Sequence, residues 1–156
     1  VIGARFGKRV DKEIAMGAQK WVDIHRHSNT EDCLKQLRAQ GYQIVATTPH
    51  DGVPLDVFDV SRKAALLFGT EKKGLSPELM AQADVALTIP MYGFTESLNI
   101  SVSAAIILNE LVGRMRREES PWALSPEERY KLECAWTVAS IKDAPRIIER
   151  YNQENA

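Results

Sequence analysis

Cysteine is nearly absent from this chain, with only Cys33 and Cys134 among 156 residues. They lie far apart in segments with helical patterns, which excludes a disulfide framework and reads as two free thiols behaving as small hydrophobes. A charge of one sign is missing as well. Lys and Arg number 20 against 21 Asp and Glu, a formal net charge of −1. No uniformly basic surface follows, so contact with nucleic acid has to come from local patches, a partner subunit or residues outside this chain. No apolar run is long enough for a bilayer and no signal-peptide pattern opens the sequence, so a cytoplasmic protein without membrane contact is expected. Histidine is scarce too. His25 and His27 share a face of an extended segment, but a metal needs three or four ligands and no others stand nearby, so no metal is expected. No G-x-G-x-x-G follows a strand, which counts against a nucleotide-dependent oxidoreductase. No Lys-Ser or Lys-Thr follows Gly74, so the loop 69–74 is not a triphosphate cradle.

What is present is ordinary for a globular chain: 44% hydrophobic and 26% charged residues, enough for one cored domain. Apolar runs at 21–24, 42–47, 64–68 and 85–89 predict strands. Between and after them, helices are predicted over 11–18, from a cap at Ser28 or Asn29 to Gly41, after Ser76-Pro77, over 99–117, and over 125–140 and 144–151. The segment 55–61 is a bridge. Residues 1–10 have no clear period and read as the exit of a preceding element. The alternation gives an α/β class with a mostly parallel sheet. Its strand ends bring Thr47, residues 69–74 and residues 89–99 to one edge, where open parallel sheets bind ligands. His50 and Asp51 fall in a Thr-Pro-His-Asp-Gly turn and read as turn chemistry facing solvent. The helix 99–117 is apolar nearly all round in its first half, so burial on most sides is expected.

One stretch carries polar residues where a plain core element would have none. Strand 85–89 ends at Pro90, a turn with Gly93 follows, and Ser97-Leu98-Asn99 lie at a helix N-terminus with unpaired backbone N–H groups. Ile89-Pro90-Met91, Gly93 and Ser97-Leu98-Asn99-Ile100-Ser101 resemble the third motif of the SpoU-type (TrmH-like) RNA 2′-O-ribose methyltransferases of the SPOUT class. Leu66-Leu67-Phe68-Gly69-Thr70-Glu71-Lys72-Lys73-Gly74-Leu75 resembles that family's second motif, at the usual distance. The resemblance covers roughly residues 22–117, with a helical tail similar in kind to those of tRNA-acting members.

The resemblance implies an S-adenosylmethionine-dependent methyltransferase acting on tRNA or rRNA, tRNA being favoured. It also implies a homodimer and a C-terminal trefoil knot. It implies a methyltransferase domain over 1–117 and a helical extension over 118–156. Thr47, Gly69, Ile89, Met91 and Leu98 would surround the cofactor. Glu71 and Ser97 would shape the substrate side, and Asn99 would position substrate or an arginine. The family's first motif, carrying an Asn and an Arg, is not found, because neither Arg5 nor Arg9 stands in its context. Glu71 is then a candidate general base, ranked below an arginine mechanism. The rival reading is an RNA-binding or dimerisation fragment that holds cofactor without turning it over.

Overall fold

The computed structural model describes Ile2 and residues 17–71, 73–118 and 122–155. Helices are α1 (Thr30–Ala39), α2 (Pro77–Ala81), α3 (Ile100–Arg117), α4 (Pro126–Ser140) and α5 (Ala144–Glu154). Strands are β1 (Gln43–Thr47), β2 (Val53–Pro54), β3 (Ala64–Leu67) and β4 (Val85–Thr88). They form one four-stranded sheet in the order β2-β4-β1-β3, parallel throughout. The α/β class with a parallel sheet flanked by helices is therefore observed.

Central β1 has Ile44, Val45 and Ala46 fully buried, as expected of a continuous apolar run covered on both faces. Val45 packs with Leu87 of β4, with Ile107 and Leu111 of α3 and with Leu55, Phe58 and Val60. Since successive residues alternate faces, Ile44 and Ala46 point to the other side of the sheet. There α1 lies against β1, with Cys33 and Leu34 buried. The segment 55–61 is thus more than a bridge. It begins with a 3-10 turn, Leu55–Val57, and plugs the core below α3. Strand β2 beside β4 depends on Gly52, where a Cβ would stand 2.9 Å from backbone atoms of Leu87 and Thr88.

Caps follow the sequence chemistry. Asn29 accepts from the Asp32 N–H at 2.8 Å, Ser76 caps α2 ahead of Pro77, and Gly41 takes φ +82° just past α1. Ser125 and Glu128 form the capping box of α4.

Two expectations are corrected. Residues 21–24 form no strand: Trp21 ends a 3-10 turn, Ala18–Trp21, and Val22 and Ile24 are exposed. Its indole meets Trp136 edge-on at 5.5 Å, so the aromatic serves a helix contact where alternation had read as a β-ladder. Helix α3 is not buried on most sides of the single chain. Ile107 and Leu111 are buried, while Val102, Ile106, Leu108 and Val112 are exposed, because the sheet and the 55–60 plug cover only one stripe. The helix expected over 11–18 lies largely outside the described residues.

The chain divides into two compact units. One comprises 27–122 with Ile2 and holds the sheet and α1 to α3. In the other, α4 contacts α5 and the 18–21 turn. In that unit Tyr130, Trp136, Ile147, Ile148 and Tyr151 remain exposed. Neither cysteine is in a disulfide, Cys33 being buried and Cys134 exposed. No helix among the described residues is long and apolar enough to cross a membrane.

Candidate functional site

The C-terminal ends of β1, β3 and β4 open onto a cavity of about 560 Å³ within the sheet unit. It is lined by Thr47, Gly69, Glu71, Ile89, Met91, Ser97, Leu98 and Asn99 together, so the structure brings all eight predicted site residues to one place. Phe68, Leu87, Ile100 and Ile107 supply most of the remaining apolar wall. Among the described lining residues none is Lys, Arg or His.

Each wall has a local cause. Thr47 ends β1 and its hydroxyl donates to the Leu67 carbonyl at 2.8 Å, stitching the outlets of β1 and β3 together. The loop after β3 is a tight pin: Thr70 N–H donates to Gly74 O at 3.0 Å and Gly74 N–H returns to Thr70 O at 2.8 Å. Gly74 needs φ +63° for this. A Cβ on Gly69 would run into the Gly74 carbonyl and Leu75 N, so the missing side chain serves closure of the loop itself. Asn99 caps α3, its Oδ1 accepting from Ser101 N–H at 2.9 Å, while its Nδ2 donates to Glu71 Oε1 at 2.8 Å. The two motif loops, 28 residues apart, are joined by that bond. A flipped amide would set oxygen against carboxylate, so the two bonds together fix the orientation.

Residues not nominated from sequence also line the cavity, notably Thr48, Pro49 and Ser103. Ser103 and Ile107 stand four and eight positions after Asn99, a helical stripe that the sequence carried. His50 and Asp51 are exposed, and they line a smaller cleft beside Met91 and Glu96. His25 is exposed and His27 pairs with Ile2. Among the described residues no group of three or more His, Cys, Asp or Glu is placed to hold a metal.

Residues 4–109 match the model of the SpoU rRNA Methylase family. The chain belongs to this family. A tRNA (guanosine(18)-2′-O)-methyltransferase of Borreliella burgdorferi is 33% identical over 144 residues, covering 92% of this chain. The match spans 66% of that relative's length, slightly less than two thirds. Among solved structures, the Aquifex aeolicus TrmH/SpoU tRNA modifying enzyme superposes with a TM-score of 0.74 at 33% identity, covering 90% of this chain and 74% of that one. An AdoMet-bound rRNA methyltransferase from Sinorhizobium meliloti gives a TM-score of 0.62 at 33% identity, covering 70% of this chain and 44% of that one. The matched residues 4–109 include both motif loops.

Proposed function

We propose that this chain is the cofactor-binding part of an S-adenosylmethionine-dependent RNA 2′-O-ribose methyltransferase, with tRNA favoured over rRNA. The observation that carries the reading is the convergence of both motif loops on one cavity, tied together by the Asn99–Glu71 hydrogen bond. The names of the relatives support it, since they specify tRNA 2′-O-methylation, and one neighbouring structure is AdoMet-bound.

The residues fit such a cofactor. A volume of about 560 Å³ lies within the ~300–1,000 Å³ of small-molecule sites. Ile89, Met91 and Leu98 offer apolar contact beside the backbone of Gly69 and the polar Thr47. S-adenosylmethionine, when bound, supplies a methyl group on a sulfonium that needs no further activation. The chain's own residues have to hold a ribose 2′-hydroxyl in line and remove its proton. Asn99 and Ser97 suit orientation, since neither is a base at neutral pH. Glu71 is the carboxylate at hand, held by Asn99.

The same reading places the methyltransferase domain at 1–117 and the helical extension at 118–156. It includes the trefoil knot, a homodimer and a cytoplasmic location. The dimer has its support in the exposed apolar side chains of α3.

Titration calorimetry with S-adenosylhomocysteine tests the assignment: one site per chain is expected, and no heat or thermal shift at millimolar ligand would overturn it. A second reading, a cofactor-holding but catalytically incomplete RNA-binding or dimerisation part, is favoured by the lining itself, which among the described residues offers no ionisable group except Glu71. Labelled methyl transfer to unmodified tRNA separates the two. Transfer abolished by Glu71→Gln supports the complete enzyme, and cofactor binding without transfer supports the second reading.

A further inference from the structure

Tyr92 and Phe94 are left in solvent to a degree that no packing role explains. Their exposures of 90% and 107% exceed those of every other large hydrophobic side chain among the described residues. They flank Gly93, whose φ of +94° makes the turn that holds them out. Gly93 between them lines a second cleft of about 370 Å³, together with His50, Asp51, Thr95 and Glu96 among others, while the two aromatic side chains stand outside that lining. This cleft shares Pro49 and Met91 with the main cavity, so the two spaces adjoin.

We infer that Tyr92 and Phe94 are a stacking platform for the nucleobase whose ribose is presented to the main cavity, and that the adjoining cleft reads that base as guanine. The inference rests on the methyltransferase reading above and deepens it. Aromatic side chains in solvent are how proteins seize unstacked RNA bases, because every base has a face to stack. The charge of the cleft decides which part of RNA it takes. Asp51 and Glu96 line it, and no Lys or Arg does among the described residues, so a phosphate is repelled and a hydrogen-bond donor is favoured. Guanine presents N1–H and the 2-amino group side by side, matching the two oxygens of one carboxylate. Adenine and cytosine set a donor next to an acceptor, and uracil sets one N–H between two carbonyls, so each leaves an acceptor facing a carboxylate. The name of the Borreliella relative specifies guanosine, in keeping with this choice.

The test uses the whole chain with S-adenosylhomocysteine and an RNA hairpin carrying one unpaired guanosine in its loop. Versions with inosine, which lacks the 2-amino group, and with thienoguanine, a fluorescent guanine analogue that keeps both N1–H and the 2-amino group, complete the set. Binding should change the thienoguanine fluorescence, and Tyr92→Ala or Phe94→Ala should remove that change and weaken hairpin binding roughly tenfold each. Affinity for S-adenosylhomocysteine should not change. Glu96→Gln combined with Asp51→Asn should equalise guanosine and inosine. Unchanged hairpin affinity in the folded aromatic variants overturns the inference. So does a changed oligomeric state, which would assign the aromatics to a second copy, or a parallel loss of cofactor affinity. If the parent chain binds S-adenosylhomocysteine but not the hairpin, this inference fails and the cofactor assignment stands. If it binds no S-adenosylhomocysteine, the assignment itself fails.

Discussion

Both ends of the Asn99 carboxamide are engaged, one by the first turn of α3 and the other by Glu71. Removing the side chain therefore has a structural and a chemical consequence that separate by experiment. Asn99→Ala should lower stability by about 1 kcal/mol through the lost cap, read as a small shift in melting temperature. Methyl transfer should fall much further, because Glu71 loses its tether. Asp84 shows a similar economy away from the site. Its carboxylate accepts from Ile44 N–H at 2.7 Å and faces Arg38 at 3.4 Å. The Ile44 N–H first, then the Arg38 charge, holds its pKa below the usual aspartate range. A lowered folded-state pKa stabilises the fold above the unfolded pKa, and that contribution is lost as pH falls through the folded one. Asp84→Asn should thus melt below the parent at pH 7, the gap closing on acidification below the ordinary aspartate range. A constant gap would mean that the carboxylate charge contributes nothing. Asp84 was not legible in the sequence, since its partners are 40 and 46 residues away.

At the scale of elements, the readable parts were those whose signal is local. Asn29, Ser76 and Ser125 cap helices as their spacing indicates, and β1, β3 and β4 are the apolar runs the sequence shows. What misled was residue type without a partner. Trp21 and its neighbours alternate like a strand yet have no ladder to join, while β2 has a proline and only two residues and shows no strand signal. Phe58 and Val60 look like linker residues until α3 is laid over them. The candidate site was legible because its residues sit at strand outlets and a helix start, each marked by Gly, Pro or a capping residue. Its second cleft was not, since Pro-His-Asp-Gly has the same composition whether a turn is idle or lines a cavity. The plug makes a measurable claim. Phe58 is 3% exposed, and Phe58→Ala should cost about 3–5 kcal/mol, the range for emptying a buried aromatic position. Denaturant unfolding that moves by less than 1 kcal/mol would show that 55–60 only covers the core.

For the whole molecule, the outward half of α3 sets the problem. A helix against one sheet buries one stripe, here Ile107 and Leu111, and the opposite side of such a helix is normally polar. In α3 it is mostly apolar: Val102, Ile106, Leu108 and Val112 are 47%, 38%, 52% and 37% exposed, with small Ser101 and Ala105 and the exposed Asn109 between them. Small residues among branched ones let a second backbone come close, and a predominantly apolar strip with an isolated polar side chain is what obligate interfaces are made of. A second copy of the chain is the occupant consistent with the proposed dimer. A carboxylate at the centre of that strip would be buried without a partner in the assembly but hydrated in the free chain. Ile106→Glu should therefore convert a dimer to a folded monomer in light scattering over a hundredfold dilution, with far-UV circular dichroism unchanged. A parent chain that is already monomeric throughout that range, or a variant that dimerises like the parent, would place the interface elsewhere and leave the apolar side of α3 without an explanation.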